Sequence, residues 1–382
     1  MPPTPSLTQF VTEANRATSE AAAALRRRHV SLSSIGLAWR LLGGPVARFW
    51  IDYAGRGGWR GGIDGFIVCW LTAWLEFLTW AKWWAISLPS SRPASESVPA
   101  IPIQRSFVRP VDRATLSVVV LTKNEETRIG RCLRSIAWAD ELIVVDGQST
   151  DRTVEICRAY GATVLVHPFE RSFAIDRNLG LDHAQGDWVL HIDADDVVTA
   201  GFREAMLQML HERPSHAAMA FWRQSVLLGR VMRHGGWHYR VPNLFRRGAA
   251  RYEGLVHERP QLQGTIGELD GDIEHHPCED LGTFTARQNR YTMLQAEDLL
   301  RLQRPTRRQV VYALCRRPWK IFWKGYVKKA GYRESWHGLV FAAFYAGVEL
   351  LKWAQAWELI RDHTRSSTPE RASSMAQASV SG

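Results

Sequence analysis

Apolar runs of strand length alternate with stretches of helical spacing in the middle of the chain. Ile129, Cys132 and Leu133 fall on one face of the first intervening helix, and a second predicted helix ends at Gly161. Strands that alternate with helices in short units predict an α/β fold with a parallel sheet and right-handed crossovers. The four predicted strands are 116–122, 141–146, 162–167 and 188–192.

Polar and acidic residues follow three of these strands. Thr122 to Glu125 come after the first, Asp146 ends the second, and Asp193 to Asp196 come after the fourth. The carboxyl ends of parallel strands share one edge of the sheet, where ligands bind. Asp193, Asp195 and Asp196 repel one another unless they face a cation. Since neither common Gly-rich phosphate loop is present, we predict that Asp193 and Asp195 hold a divalent cation, Mg²⁺ or Mn²⁺, which binds a diphosphate.

Composition divides the rest of the chain. Residues 1–35 are polar and Ala-rich, and we expect them to be partly disordered, as we do the Ser-rich tail at 362–382. A Pro/Ser linker occupies 87–114. We expect a catalytic domain at 115–300, between helical, membrane-associated segments at 36–86 and 301–361.

These two flanking segments contain an internal repeat. Residues 45–84 align without a gap with 318–357, at a constant offset of 273, and 13 of the 40 positions are identical. Each copy begins with an amphipathic stretch in which aromatic residues recur at helical spacing. The fold is therefore expected to carry two repeated amphipathic and hydrophobic helical elements beside the catalytic domain.

The apolar second part of each copy is long enough to span a bilayer. Glu76 and Glu349 lie near the middle of these parts, and a carboxylate at the bilayer centre costs roughly 2.5–3.5 kcal/mol. We therefore favour helices that lie in the membrane interface or pack against protein. The basic run 301–333 contains eleven Lys or Arg and no Asp or Glu, which favours an anionic membrane surface. A solvated basic face and a nucleic-acid patch are the alternatives.

Charge and cysteine usage narrow the class of protein. The formal net charge is +10 and the pI is about 9.6, which indicates an anionic partner. The five cysteines are scattered without a CxxC pair, a pattern that argues against zinc and suits a reducing cytoplasm. The first 35 residues contain no apolar core of a signal peptide, so we expect no cleaved signal.

The order and spacing of four motifs resemble the family 2 glycosyltransferases. These motifs are "LSVVVLTKNEE", "ELIVVDGQSTDRT", "RNLGL" and "VLHIDADD". The resemblance implies a GT-A fold, which is Rossmann-like with a mostly parallel sheet, and a nucleotide-sugar donor. It also implies the donor-site roles. Thr122 and Glu125 would line the nucleotide pocket, Asp146 would bind the uridine or ribose, Arg177 and Asn178 would lie by the diphosphate, and Asp193 and Asp195 would hold the metal.

Later segments resemble the bacterial branch that builds the lipopolysaccharide inner core. "GGWHYRVPNLFRRGAARYEGLVHER" and "RPWKIFWKGYVKKAGY" are examples, whereas the N-terminal copy of the repeat departs from that branch. The resemblance implies a lipid-linked or cell-envelope glycan as acceptor, no nucleic-acid partner, and a location at the cytoplasmic face of the inner membrane.

An inverting transferase needs a general base on the acceptor side. Glu258 in "LVHER" is our candidate, and Asp196 is the rival. Trp237, Arg246 and His257 are candidate acceptor contacts, each with a purely structural alternative. Two other functions are alternatives: a nucleotidyltransferase that uses the same acidic edge, and a basic binding protein without catalysis.

Overall fold

The computed structural model describes residues 6–89, 103–168, 173–253 and 259–366. The chain forms two compact units. The helical unit combines Met1–Ser90 with Asp280–Gly382, and the sheet unit is Ser91–Glu279. The catalytic domain was expected to end at residue 300, but the structure places the division between Glu279 and Asp280. The difference is one helix, which follows the last strand directly and packs within the helical unit.

The N-terminal half of the helical unit begins with α1, Leu7–Arg27, which Ser6 and Gln9 start with a reciprocal capping box. The unit continues with α2, Ser34–Ala38, α3, Gly44–Trp50, and α4, Gly62–Ser87. Two π-helical segments, Trp39–Gly43 and Ile51–Gly55, and a 3₁₀ turn, Gly58–Gly61, join them. Segment Gly58–Ser87 is long and apolar enough to cross a membrane, by length and composition alone.

Helix α1 occupies a region for which partial disorder was predicted. Its buried positions, Val11, Thr18 and Ala22, recur at helical spacing, but two of the three are small or polar, so the apolar signal of a packed helix is weak in the sequence. The buried ammonium of Lys82 on α4 donates hydrogen bonds of 2.6–2.9 Å to oxygens of Asn15, Thr18 and Ser19. This network holds α1 against α4.

Four parallel strands open the sheet unit: β1, Leu116–Thr122; β2, Glu141–Asp146; β3, Thr163–Val166; and β4, Trp188–Asp193. Between them lie α5, Ile129–Ser135, α6, Thr153–Ala159, and α7, Phe173–His183. The strand order is β3-β2-β1-β4, and every adjacent pair is parallel. These are the strands predicted from the apolar runs, and the predicted α/β fold with its parallel sheet is confirmed.

The second half of the sheet unit adds mostly antiparallel pairs. It contains β5, Asp196–Val198; α8, Ala200–Glu212; β6, Ala218–Leu227; β7, Arg230–Val231; β8, His238–Arg246; β9, Ala250–Glu253; β10, Arg259–Leu262; and β11, Ile266–Cys278. The sheet continues from β4 through β8, β6 and β11 to β5. One apolar core packs Leu116, Trp188 and Phe202 together beneath it.

The C-terminal half of the helical unit consists of α9, Leu281–Gln303, α10, Arg307–Trp323, and α11, Ser335–Ser366. Between the last two lie a π-helical segment, Lys324–Lys328, and a 3₁₀ turn, Gly331–Glu334. Helix α11 lies in the interior of the helical unit, because none of its residues between 336 and 361 is exposed.

The predicted repeat is a structural duplication. The π-helical segment, the 3₁₀ turn and the start of the long helix recur in the second copy at the same offset of 273 residues. A Cβ atom on Gly65 would lie 2.0 Å from the carbonyl oxygen of Gly58, and one on Gly338 would lie 1.8 Å from that of Gly331. Both copies thus need glycine where the turn meets the long helix, which explains why these positions are identical.

Candidate active site

The ends of the first strands meet at one edge of the sheet because of their register. Thr122 is paired with Asp146, and Leu121 is paired with Asp193. Asp146 is buried and accepts hydrogen bonds from the backbone N–H of Ser149 at 2.8 Å and its hydroxyl at 2.5 Å. The structure therefore brings the predicted donor residues of β1 and β2 beside the acidic end of β4.

Thr122 and Glu125, two of the predicted donor-binding residues, differ in whether their side chains already have partners among the described residues. The hydroxyl of Thr122 is buried and has no hydrogen-bond partner among the described residues. It is thus a polar atom for which a ligand would provide the missing partner. Glu125 is paired with Arg128 at 2.9 Å, and the backbone N–H of Glu125 donates to the hydroxyl of Thr153. That contact ties the loop after β1 to the start of α6.

The acidic cluster lies on the tight turn between β4 and β5. The backbone N–H of Asp193 donates to Asp196 at 2.9 Å, and Asp195 and Asp196 are both buried. His275 joins them from β11, whose antiparallel pairing with β5 sets it opposite Asp196. Asp193, Asp195 and His275 each offer one ligand atom, and these atoms lie within 4.8 Å of one another. Two carboxylates and an imidazole this close together fit a divalent cation.

Arg223 on β6 explains how three carboxylates share so small a space. Its guanidinium donates to Asp193 at 2.6 Å and to Asp196 at 2.8 Å. Arg177 on α7 approaches Asp193 from another side, at 3.4 Å. Two guanidinium groups therefore offset much of the negative charge, and such charge-assisted hydrogen bonds are among the stronger ones in proteins.

These partners shift the protonation of the cluster. Burial alone raises the pKa of Asp193, but Arg223 and Arg177 outweigh burial and hold the pKa at about 2. Burial and Arg223 both lower the pKa of His275, yet Asp195 and Asp196 dominate and raise it to about 9. A cation that binds His275 must therefore displace a proton from the imidazole.

The two predicted diphosphate residues lie next to each other on α7 but make different contacts. Arg177 reaches the acidic cluster and also lies over the ring of Tyr252, 5.3 Å from its centroid. The side-chain amide of Asn178 donates to the backbone carbonyl of Tyr252 and accepts from its N–H, both at 2.9 Å. Asn178 thus holds α7 against β9, and its diphosphate role stays a prediction.

Among the predicted base and acceptor residues that the structure describes, Asp196 lies in the acidic cluster. Glu258 and His257 lie outside the described residues. The carboxylate of Asp196 is already engaged by Arg223 and by the N–H of Asp193. The backbone carbonyl of Trp237 accepts from Ser225, two residues along β6 from Arg223. Its sugar contact stays a prediction.

Arg246 lies at the wrong end of its strand for the acceptor role we predicted. It is opposite Trp188, the first residue of β4, whereas Asp193 is the last. Five residues of strand correspond to roughly 16 Å. The guanidinium stacks on Trp188 and donates to the carbonyls of Pro214 and His216. The structure therefore gives Arg246 a packing role away from the acidic cluster.

Sequence reasoning missed His275 and Arg223. Both lie on strands of the mixed half of the sheet, and each reaches the cluster through pairing with a strand that is distant in sequence. A weak signal was present, because a charged residue inside an apolar strand such as β6 needs a buried partner.

Comparisons with known proteins agree with this geometry. The family model "Glycosyl transferase family 2" matches residues 117–264. An uncharacterized glycosyltransferase of Rickettsia conorii is 40% identical over 200 residues, which cover 49% of this chain and 71% of that protein. The lipopolysaccharide core biosynthesis glycosyltransferase LpsC of Rhizobium meliloti is 25% identical over 203 residues, which cover 49% of this chain and 72% of LpsC.

Solved structures also match. One is glucosyl-3-phosphoglycerate synthase from Mycobacterium tuberculosis, crystallised with Mn²⁺, UDP and glucosyl-3-phosphoglycerate. It is 21% identical, with a TM-score of 0.34, and the match covers 54% of this chain and 90% of that one.

The sheet unit is thus the catalytic unit of a sugar-transferring enzyme. The chain belongs to the family 2 glycosyltransferases. This confirms the resemblance drawn from the four motifs. It also sets aside the nucleotidyltransferase and the non-catalytic binding protein.

Proposed function

We propose that the protein is an inverting glycosyltransferase that moves a sugar from a UDP-sugar to a lipid-linked or cell-envelope glycan. The observation that carries the proposal is the shared edge of β1, β2 and β4. There, Asp146 and the Asp193–Asp195 turn lie in register, and His275 completes a possible ligand set. The similarity to LpsC, whose name refers to lipopolysaccharide core biosynthesis, supports the acceptor class.

The donor is bound along this edge. Thr122 offers its hydroxyl, which has no partner among the described residues, and Asp146 offers its carboxylate to the nucleoside. Asp193, Asp195 and His275 would hold Mn²⁺ or Mg²⁺, which when bound would neutralise charge on the diphosphate leaving group. The imidazole in the set favours Mn²⁺, because Mg²⁺ prefers oxygen ligands. Arg177 supplies a second positive charge on the same side, where charge develops as the sugar leaves.

The acceptor hydroxyl must lose a proton as the new bond forms. Glu258 is the proposed base, since its motif follows the donor motifs in the sequence. Asp196 is the less suitable of the two candidates, because its carboxylate is already held by Arg223 and by backbone N–H. Its oxygens are thus occupied by donors of the protein itself, which leaves less room for an acceptor hydroxyl.

The proposed location is the cytoplasmic face of the bacterial inner membrane. The helical unit supports peripheral binding to an anionic bilayer. Although Gly58–Ser87 could span by length, α4 buries 12 of its 26 residues against protein, and the charged Lys82 is among them. An in-plane or protein-packed arrangement therefore suits this helix better than a span.

A panel of nucleotide sugars tests the donor assignment. The full-length protein is incubated with each sugar nucleotide, with and without Mn²⁺, and free nucleoside diphosphate is measured. We expect release of UDP from at least one UDP-sugar, and only with metal. Absence of turnover and of binding across the whole panel would contradict the proposal.

A further inference from the structure

The two copies of the repeat pack against each other in a symmetric way. The ring of Trp84 on α4 contacts that of His337 on α11, with centroids 4.8 Å apart. At the other end of the pair, the indole N–H of Trp357 on α11 donates to Asp64 on α4 at 3.0 Å. His337 is the equivalent of Asp64 in the repeat, and Trp357 is the equivalent of Trp84. The same two positions therefore meet twice, as in an isologous interface.

The centre of this symmetry lies between the two helices. Trp74 on α4 meets Gly347 on α11, and these residues are each other's equivalents in the repeat. A Cβ atom on Gly347 would lie 1.9 Å from the indole nitrogen of Trp74, so glycine is needed where the ring crosses the axis. A local two-fold axis thus passes between α4 and α11, perpendicular to the plane of this antiparallel pair.

A two-fold axis places equivalent parts of both copies at the same height along it. The amphipathic parts that precede α4 and α11 are such equivalents, because the turns that connect them to the long helices are the same. Both parts can therefore contact a single flat surface that is perpendicular to the axis.

Equivalent positions in these amphipathic parts expose apolar side chains. Four equivalent pairs, eight apolar side chains in all, are between 52% and 68% exposed. The opposite side of α10 is buried at Val310, Leu314 and Pro318. The four equivalent pairs are Val46 and Trp319, Trp50 and Trp323, Trp59 and Tyr332, and, six residues before the aligned copies at the same offset, Trp39 and Tyr312. We call these eight residues the paired aromatic face.

The charges beside the paired aromatic face differ between the copies. In the second copy, exposed basic residues recur every four positions between the aromatic ones, at Arg316, Lys320, Lys324 and Lys328. Their equivalents in the first copy are Gly43, Ala47, Ile51 and Gly55. The first copy thus has fewer cations beside its apolar side chains, namely the exposed Arg40, Arg56 and Arg60, whereas the second offers aromatic side chains within a row of cations.

We propose that the paired aromatic face is a bivalent docking surface for an anionic lipid bilayer. The first copy inserts mainly by apolar burial, and the second binds acidic headgroups. Trp and Tyr favour the headgroup region, and Lys and Arg favour anionic lipid. Two equivalent faces at the same height along the axis suit a planar partner such as a bilayer. Binding to a globular protein or to a nucleic acid would not require such a pair of faces. The inference deepens, and rests on, the proposed membrane location of the enzyme.

Docking through both copies predicts how a variant of one copy affects membrane binding. When both copies contact the same bilayer, the second contact forms at high effective concentration, so the loss of either copy removes most of the avidity. Trp50→Ser and Trp323→Ser change equivalent positions. We expect each to weaken partitioning into vesicles about tenfold or more. Lys320→Glu with Lys324→Glu should cost at least about fivefold for each lost charge.

Vesicle sedimentation tests this with the full-length protein and phosphatidylcholine vesicles, with and without phosphatidylglycerol. Wild type should bind only the anionic vesicles, and added salt should weaken binding. Trp50→Ser, Trp323→Ser and the lysine variant should each bind less. Leu302→Ser, which changes an equally accessible apolar side chain that is 67% exposed on α9, and Arg158→Glu on α6 are the controls and should bind as wild type does.

Donor hydrolysis without vesicles is measured on the same samples and should be unchanged by all these variants. Hydrolysis without vesicle binding would overturn the docking surface and leave the proposed transferase intact. Vesicle binding without hydrolysis of any donor would count against the transferase alone. Self-association that the tryptophan variants abolish, without lipid binding, would make the face a protein interface and overturn the inference.

Discussion

Arg223 is the residue on which the stability of the metal-free acidic cluster most depends. Its side chain is only 12% exposed and is bonded to both Asp193 and Asp196, so Arg223→Met leaves three carboxylates with Arg177 as the nearby guanidinium. Loss of one partner from a buried ion pair costs about 3–5 kcal/mol. For a unit of this size, that corresponds to a fall in Tm of roughly 6–20 °C.

A divalent cation should compensate for this loss. Mn²⁺ bound to Asp193, Asp195 and His275 would supply positive charge close to where the guanidinium was removed. Mn²⁺ should therefore raise the Tm of Arg223→Met much more than that of wild type. Thermal unfolding followed by circular dichroism, with Mn²⁺ or with EDTA, measures both effects.

The control for this prediction is Arg152→Met. Arg152 pairs with Glu155 at 2.8 Å in the same unit, but both side chains are 64% exposed. Solvent screens such a pair, so the variant should melt close to wild type and should not respond specially to Mn²⁺. The reasoning fails if Arg223→Met melts within about 2 °C of wild type in EDTA. It also fails if Mn²⁺ stabilises both proteins equally.

Four further predictions address the ligand set, the base, the repeat and a buried amine. His275→Ala should raise the Mn²⁺ concentration for half-maximal UDP release at least about tenfold, and an unchanged metal titration would remove His275 from the set. Glu258→Gln should lower kcat far more than it weakens UDP-sugar binding, and equal losses of rate and donor affinity would assign Glu258 a structural role. Gly338→Ala should destabilise the protein by about 1–3 kcal/mol, because its Cβ would lie 1.8 Å from a carbonyl oxygen. Gly61→Ala, whose Cβ would meet nothing within 4 Å, is the control, and equal urea midpoints for both variants would refute the packing argument. Burial lowers the pKa of Lys82 from 10.5 to about 8, although Asp280 opposes the shift. Between these two pH values the unfolded chain binds more protons than the folded one, so the stability of wild type relative to Lys82→Met should rise with pH. A stability difference in urea unfolding that stays constant across this pH range would contradict the prediction.

The donor edge of the site could be predicted because its signals are local. Strands β1, β2 and β4 are short apolar runs, and each ends at a predicted site residue, as β4 ends in Asp193. Parallel strands in α/β order align such ends without further information. The motifs around them were specific enough to identify the family.

The other half of the site could not be predicted, because it depends on long-range pairing. Arg223 reaches Asp196 across 27 residues, and His275 reaches it across 79. The position of each depends on the register of a mixed sheet whose β6–β11 pairing has irregularities at two places. A slip of one residue would point either side chain to the opposite face.

The repeat was visible in the sequence, but its symmetry was not. Identities such as Trp84 with Trp357 reveal a duplication, yet they do not tell how two copies pack. The axis becomes apparent from contacts in the structure, above all the meeting of Trp74 with Gly347, positions that differ between the copies. A symmetric contact at the axis cannot hold two large rings, so one copy carries Trp and the other Gly.

UDP release by wild type and by Asp195→Asn, with Mn²⁺ or with EDTA, tests the central claim most directly. Asp195 is a proposed ligand at the end of the acidic turn, and its replacement by the isosteric amide removes a charge while relieving repulsion among the carboxylates. We expect wild type to release UDP from a UDP-sugar with Mn²⁺ but not in EDTA, and Asp195→Asn to lose most of this activity while its circular dichroism spectrum stays that of wild type. Turnover by Asp195→Asn at the wild-type rate, or turnover that EDTA does not reduce, would contradict a metal-dependent glycosyltransferase at this site.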